Sequence, residues 1–483
     1  MLKPLTQDYD LVVIGSGPGG YKAAVAATHL GAKVAIIEKS LPGGTCLNQG
    51  CVPKETLMRV AKLIDEVESL NGHGIQASIT GDFQKAIDHK DEVVKNIRSG
   101  LSPWLRQLGI RLIEGSASFI NEKTIEITQA HKEEKLTFIK ANKFIIATGA
   151  KPKHLDSCPT DGINILNSSD FMFKLDKCPN SVLCVGGGAI GTEFGYLLHR
   201  FGAQVTIVEK ESRLLKKPSI NARASNTLNR KFKKLGIQVK NNCTVLKSEI
   251  TDDGVLVTFS DNSTATYEKV LVAIGRSPNT HELNLESANV HINGAGFVKT
   301  NEFLETTCKG IYAVGDVKCG PMTANAAFHD AKVAAHNAIC GNDRVINYNR
   351  VPIVIDSALP IASVGLTEER AENAGFEPEV ARINLAGSTK ARITHDSEGY
   401  IEVVHDDETG QLLGGSTIGP QAGEMIHMLT AACQSDRGLW FFTDISYAHP
   451  SWNEELENAI HSCIAEFAES EVDIFQPGIY ANL

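Results

Sequence analysis

The chain has 483 residues, more than one hydrophobic core can organise, so two to four domains are expected. Its composition, 42% hydrophobic and 22% charged, is that of an ordinary globular protein. A formal charge of −10 with no Lys/Arg-rich run argues against a nucleic-acid surface, and no apolar run reaches the roughly 18 residues of a membrane span.

The opening, MLKPLTQDYD, lacks the charged-then-apolar pattern of a secretory leader. Eleven cysteines, an odd number spread over the chain, do not form a secreted disulfide framework, and a cytoplasmic setting is the expectation. Neither C-x-x-C nor H-E-x-x-H occurs, so no metal site is expected.

Residues 9–39, YDLVVIGSGPGGYKAAVAATHLGAKVAIIEK, predict a buried parallel strand, a G-x-G-x-x-G turn (Gly15, Gly17, Gly20), an amphipathic helix and a second strand ending at Glu38 and Lys39. The first glycine makes a tight turn, the second lets backbone N–H groups approach a pyrophosphate, and the third lets helix and strand pack closely. The helix N-terminus offers partial positive charge to the phosphates, and the acid accepts hydrogen bonds from a ribose.

Next comes GGTCLNQGCVPKETL, residues 43–57, with Cys46 and Cys51 just after two glycines. Five residues of regular helix rise about 7.5 Å, whereas disulfide-bonded Cα atoms sit within about 6.8 Å. A bridge therefore requires an irregular helix start, which Gly43, Gly44 and Pro53 permit. Spacing alone leaves a redox pair, a metal site and two buried cysteines all open.

The first pattern then repeats. Residues 181–210, SVLCVGGGAIGTEFGYLLHRFGAQVTIVEK, carry Gly186, Gly188 and Gly191, and Glu209 lies the same distance past its first glycine as Glu38 does. Gly31, Ala32 and Val34 recur as Gly202, Ala203 and Val205. Two fingerprints in one chain imply two dinucleotide sites. Glu209 would repel a 2′-phosphate and no arginine adjoins it, which favours NAD over NADP at the second site.

With both fingerprints and the cysteine segment in view, the sequence resembles the class I pyridine nucleotide–disulfide oxidoreductases over nearly its whole length, and their dihydrolipoyl dehydrogenase branch most. GGTCLNQGC resembles the redox-disulfide motif, FIIATGAKP (144–152) and VLVAIGRSPN (270–279) the passages between domains, and GIYAVGDVKCGPMTANAA (310–327) the second FAD motif. GGSTIGPQAGEMI (414–426) resembles part of the dimer-interface domain, and HPSWNE (449–454) the His-Pro…Glu signature. The implied fold is α/β: an FAD domain (1–150) interrupted by an NAD domain (151–279), resumed by 280–350, then a C-terminal α+β dimerisation domain (351–483).

The resemblance implies Cys46 as interchange thiol and Cys51 as flavin-side thiol. His449 would be the acid/base, Glu454 would orient its ring, and Lys54, paired with Glu193, would face the flavin. Asp316 would bind the ribityl chain. Further cofactor contacts are implied at Gly44, Thr45, Gly115, Thr148, Gly149, Met322 and Ala324, and at Ile190, Gly275 and Arg276. The activity implied is oxidation of dihydrolipoamide, free or on the lipoyl carrier domain of a 2-oxoacid dehydrogenase complex, by a homodimer holding FAD and using NAD. Imidazole titrates near physiological pH, which suits proton exchange with a dithiol.

Some positions depart from the branch. The chain reads Pro53-Lys54-Glu55 where Pro-Ser-Lys is usual, with lysine placed as in the glutathione reductase branch. Tyr447 stands where a second histidine is common, Trp452-Asn453 replace a smaller pair, and ALPIASVG (358–365) replaces a Pro-Glu-Ile-Ala pattern. These bear on substrate identity more than on reaction type. Glutathione- or trypanothione-type reductases use NADPH, which Glu209 opposes. Mercuric-type reductases carry a vicinal cysteine pair near the C-terminus, where this chain has only Cys433 and Cys463. A soluble transhydrogenase would lack the dithiol. A flavoprotein sensor or structural subunit with little turnover is the alternative from another class, opposed by the retained Cys46, Cys51, His449 and Glu454.

Overall fold

The computed structural model describes residues 8–129, 137–435 and 437–469; most of the opening segment discussed above, residues 1–7, lies outside the described residues. The chain begins β1 (Asp8–Ile14), α1 (Pro18–His29) and β2 (Val34–Glu38). Leu11 to Ile14 and all of β2 are buried, because β1 lies between β2 and a later strand with both faces covered. α2 (Gly44–Gln49), α3 (Cys51–Ser69) and α4 (Phe83–Gln107) follow, then β3 (Arg111–Glu114), β4 (Ser116–Asn121), β5 (Thr124–Thr128) and β6 (Thr137–Ile146).

After β7 (Ala150–Pro152) the chain builds a second parallel sheet. It contains β8 (Ile165–Asn167), α5 (Ser168–Lys174), β9 (Ser181–Val185), α6 (Ala189–Arg200), β10 (Gln204–Val208), α7 (Ala222–Leu235) and β11 (Gln238–Lys240). An antiparallel flap of β12 (Val245–Thr251), β13 (Gly254–Phe259) and β14 (Thr264–Tyr267) precedes β15 (Lys269–Val272). The order in the second sheet is β11-β10-β9-β15-β8.

β16 (Arg276–Pro278) pairs antiparallel with β7, so the outgoing and returning chains run side by side. Asn279 ties them further: its N–H donates to the Gly149 carbonyl at 2.9 Å and its carbonyl accepts Thr148 Oγ1 at 2.7 Å. The chain then re-enters the first sheet as β17 (Ile311–Ala313), parallel to β6, which gives the order β3-β2-β1-β6-β5-β4 with β17 beside β6. α8 (Ala324–Cys340) packs on α1 through alanines on both helices, among them Ala23, Ala27, Ala331 and Ala334.

A third unit follows, with β18 (Ile353–Ile355), β19 (Ile361–Gly365), α9 (Glu368–Asn373), β20 (Pro378–Asn384), α10 (Thr389–Thr394), β21 (Tyr400–Asp406) and β22 (Leu412–Ile418). Its strands form one antiparallel sheet in the order β18-β19-β22-β21-β20. α11 (Ala422–Ala432), α12 (Trp440–Thr443) and α13 (Glu454–Glu469) close its core, where Ile401 and Val403 meet Leu429, Phe442 and Ile460. Two dinucleotide-type α/β units and an α+β unit are the fold class the sequence implied.

The two fingerprint turns are built alike. A Cβ on Gly20 would lie 1.9 Å from the Gly15 carbonyl oxygen, and one on Gly191 the same 1.9 Å from that of Gly186. Gly20→Ala and Gly191→Ala should therefore each destabilise their unit by about 1–3 kcal/mol, the usual range for overpacking. Denaturant unfolding of each variant checks this, and unchanged midpoints would remove the close-approach argument.

Candidate active site

Four described helices in the first two units begin on a glycine with no side-chain cap: α2 on Gly43 and α3 on Gly50 around the cysteines, and α1 on Gly17 and α6 on Gly188 at the two fingerprints. By contrast, α4, α5, α7 and α8 are capped by Asp82, Asn167, Asn221 and Thr323. The first N–H groups of α1 and α6 thus face away from any side-chain acceptor, which suits a phosphate. A Cβ on Gly188 would meet nothing within 4 Å, so the approach is open.

The acid beyond each turn is held by the turn itself. Glu38 Oε2 accepts the Ser16 N–H at 2.8 Å and Ser16 Oγ at 2.6 Å, and Oε1 accepts the Ser40 N–H at 2.8 Å. Glu209 Oε2 accepts the Gly187 N–H at 2.6 Å and Oε1 the Glu211 N–H at 2.9 Å. Each carboxylate is fixed beside its glycine turn. The residues present thus fit a dinucleotide at each turn. Lys210, next to Glu209, pairs only loosely with Glu211, at 3.8 Å.

α2 packs against the first turn. Gly44, with φ of 61°, leaves no room for a Cβ, which would fall 2.6 Å from Gly17 Cα. The redox candidate therefore starts at the first fingerprint. The helix breaks at Gly50, whose φ and ψ of −134° and −106° separate α2 from α3. Cys46 lies on α2 and Cys51 opens α3, so the break supplies the irregular helix start that spacing required.

Both cysteines are thiols in the structure and hydrogen-bond to each other. That bond, reinforced by burial, raises the Cys46 thiol far above the ordinary range. The same bond lowers Cys51 and, with help from Lys54, prevails over burial. Within the pair the proton therefore favours Cys46, and negative charge favours Cys51.

Lys54 Nζ lies 3.3 Å from Glu193 Oε1 on α6 and 3.0 Å from Glu55 Oε2. Burial opposes its charge, but Glu193, Glu55 and Asp356 prevail and strengthen its hold on the proton. Burial raises Glu193, with Lys54 and the Asp356 N–H acting the other way.

The second FAD-type segment lies close by. Asp316 follows β17, and Arg276 Nε lies 3.9 Å from its Oδ2. Burial raises Asp316 against the pull of Arg276, and burial lowers Arg276. Arg276 also donates to the Ala150 carbonyl. Met322 takes a positive φ of 55° just before Ala324 opens α8. Gly115 donates its N–H to the Glu38 carbonyl at 2.9 Å, Thr45 is exposed, Lys39 pairs with Glu282 at 2.6 Å, Ile190 sits in the first turn of α6, and Gly275 has φ of 115°.

His449 is in the third unit. Its Nδ1 lies 2.9 Å from Glu454 Oε2, and Glu454 Oε1 accepts the Ser451 N–H at 3.1 Å. The imidazole borders a cavity of about 630 Å³ lined also by Ser388, Tyr447, Glu455, Glu457 and Asn458. The Tyr447 hydroxyl donates to the Phe442 carbonyl, and burial with nearby Glu457 pushes it up to about 12. Among the described residues, the cavity lining comes entirely from positions 383–458, and no hydrogen bond or ion pair joins His449 to the dithiol.

The structure therefore gathers Cys46, Cys51, Lys54 and Glu193 at one place and His449 with Glu454 at another. Three residues near the dithiol were not singled out by sequence. Tyr21 is raised by burial and then by Cys46 and Cys51, so its phenol lies within their field. Its position directly after Gly20 was the available signal. Asp356 and Lys62 form an ion pair beside Lys54, and neither belongs to a motif.

A family profile described as "Pyridine nucleotide-disulphide oxidoreductase" matches residues 9–331, and one for the dimerisation domain of the same family matches 351–460. The chain belongs to the pyridine nucleotide-disulphide oxidoreductase family. Among its relatives, a protein named dihydrolipoyl dehydrogenase from Thermus scotoductus is 35% identical over 461 residues, covering 93% of this chain and 96% of the relative. The mitochondrial dihydrolipoyl dehydrogenase of Pisum sativum is 32% identical, covering 94% and 91%. Among solved structures, LpdA from Mycobacterium tuberculosis superimposes with a TM-score of 0.87 at 25% identity, covering 94% of this chain and 99% of the other. A copper(II) complex of RclA, an HOCl-induced flavoprotein disulfide reductase from Escherichia coli, gives 0.83 at 28% with the same coverage. In this family member no described helix is long and apolar enough to cross a membrane.

Removing one partner of the Lys54–Glu193 pair leaves a buried charge alone. Lys54→Met should cost about 3 kcal/mol, and Lys54→Met/Glu193→Gln should recover most of it. The loss has a pH sign. Burial raises Glu193, so its protonated form stabilises the variant at low pH and that contribution disappears as pH rises through the raised value. Denaturant melts should show a larger deficit at pH 8 than at pH 5, and a pH-independent deficit would contradict the buried-charge account.

Proposed function

We propose that the protein oxidises dihydrolipoamide, free or as the lipoyl group of a carrier domain of a 2-oxoacid dehydrogenase complex, with FAD bound at the first fingerprint and NAD as final acceptor. The observation that carries this reading is the Cys46–Cys51 pair at the Gly50 break, where Cys46 and Lys54 lower the Cys51 thiol. The names of the relatives supply the substrate. We place the protein in the cytoplasm on its scattered, odd-numbered cysteines.

FAD would lie with its pyrophosphate at Gly15–Gly20 and its ribose at Glu38, with Gly44, Thr45, Asp316, Met322 and Ala324 alongside. NAD would take Gly186–Gly191, Glu209, Gly275 and Arg276. A flavin and a nicotinamide, when bound, supply the route by which an electron pair leaves the dithiol as hydride.

The chain's own residues perform the thiol exchange. His449 of the partner subunit takes the proton from one substrate thiol, with Glu454 holding the ring through Nδ1 and stabilising the imidazolium. The substrate thiolate attacks Cys46 Sγ of the oxidised pair; the Cys46–Cys51 bond breaks and Cys51 leaves as thiolate. The second substrate thiol then displaces Cys46, closing the product disulfide. Its own proton passes to the Cys46 sulfur, and His449, left as imidazolium with the first proton, releases that proton to solvent. The raised Cys46 and lowered Cys51 favour the state this half-reaction leaves, with the proton on Cys46 and the charge on Cys51.

The dimerisation domain supports a homodimer, and within one chain no hydrogen bond or ion pair among the described residues joins His449 to the dithiol. A two-fold interface would give two identical composite sites. His449→Gln and Cys51→Ser subunits, each inactive, should regain about a quarter of the sites when unfolded together and reassociated. No recovery with mixed dimers confirmed by mass would overturn the shared site.

Substrate and cofactor are tested with a panel of dihydrolipoamide, glutathione disulfide and Hg²⁺ against NAD(H) and NADP(H). Dihydrolipoamide with NAD should be fastest, and Glu209→Ala with Lys210→Arg should narrow the preference over NADP. Faster turnover of another disulfide would move the assignment toward a general flavoprotein disulfide reductase, as RclA is named.

A further inference from the structure

Asp356 follows β18 in the third unit yet reaches both other units. Its N–H donates to Glu193 Oε1 at 2.9 Å, the oxygen that also faces Lys54. Its carboxylate pairs with Lys62, two turns along α3 from Lys54. The neighbouring Ser357 Oγ donates to the Thr192 carbonyl at 2.8 Å. One short loop therefore grips α6 and α3 at the point where Lys54 faces Cys51.

The groups facing this point are Lys54, Glu55 and Lys62 from α3, Glu193 and Tyr196 from α6, and Lys217 from the segment after β10. Tyr21 of α1 and Arg276 of β16 also act on Cys51, and burial raises Asp356 against the pull of Lys62. The Asp356 and Glu193 side chains are only 12% and 11% exposed, so solvent screens these charges poorly.

We propose that Asp356 is a positioning residue of the redox centre: its N–H and its Lys62-held carboxylate fix the Lys54–Glu193 pair and set the charge felt by the Cys51 sulfur. The inference rests on the dithiol reading above. Its consequence has a sign. Removing the Asp356 charge makes the surroundings less negative and favours the Cys51 thiolate. Removing Lys62 makes them more negative and disfavours it.

The test uses the full-length protein in a Cys46→Ser background, where Cys51 alone reports. Its alkylation by iodoacetamide is followed by peptide mass across pH. Asp356→Asn, which keeps the N–H, should lower the midpoint by about half a pH unit, and Lys62→Met should raise it similarly. Below the midpoint these shifts are about threefold rate changes, up and down respectively. The double variant should return close to its parent. A purely structural role would move both single variants the same way or neither, and either result in folded protein overturns the proposal. Should Asp356→Asn fail to fold, Lys62→Met decides alone, and an unmoved midpoint refutes the role. The long-wavelength absorbance of a thiolate beside a flavin is recorded in parallel on the reduced parent. Its absence would count against the FAD reading and leave the alkylation midpoints to judge Asp356.

Discussion

Backbone packed directly on backbone at the first fingerprint is the constraint on which the rest depends. Gly20 rests on Gly15, and Gly44 rests on Gly17, with no space for a Cβ in either contact. The first contact seats α1 on β1 and leaves its N-terminus uncapped. The second places α2, and with it Cys46, beside that N-terminus. A ligand site and a redox pair are thereby joined by sterics before any side-chain chemistry enters. The second fingerprint repeats the first contact at Gly186 and Gly191, but no short helix bearing a cysteine pair follows it, and its own Cys184 is buried in β9.

The dithiol needs a local exception to helical geometry and a long-range electrostatic setting. Gly50 supplies the exception by breaking the helix between the cysteines. The setting comes from all three units. Lys54 on α3 favours the thiolate, Glu193 on α6 holds Lys54, and Asp356 from the third unit holds Glu193. The arrangement is a partly buried network of opposite charges, in which loss of one member strands another. Such a network is costly as a stability device, which is why its position beside a reactive sulfur points to function.

The candidate acid/base pair is built within the third unit. His449 and Glu454 sit 2.9 Å apart at the start of α13, where Glu454 also receives the Ser451 N–H. The two carboxylate oxygens are thus divided between the ring and the helix entry, which sets the ring's orientation. This pair was reached through resemblance to the His-Pro…Glu signature rather than from spacing. Tyr447 and Glu457, by contrast, meet on the cavity wall only through the fold of the third unit.

By itself the sequence determined the strand–glycine turn–helix–strand pattern, its repetition, the acid closing each copy and the place of two cysteines beside the first, whose reading as a dithiol came from resemblance. These are local features: their residues are within a few turns of one another, and spacing encodes their geometry. The return of β17 to the first sheet was reached by resemblance rather than periodicity, because strand pairing across the intervening unit leaves no periodic trace. Resemblance likewise paired Lys54 with Glu193. Only the tertiary structure decided that Lys62, Asp356 and Tyr21 belong to the same neighbourhood. Lys62 and Asp356 are 294 positions apart in the chain, and no helical or strand period connects them. Their meeting depends on three separately folded units docking at one point. A sequence pattern records what a segment does to itself, and a buried charge finds its counter-charge wherever the packing brings one.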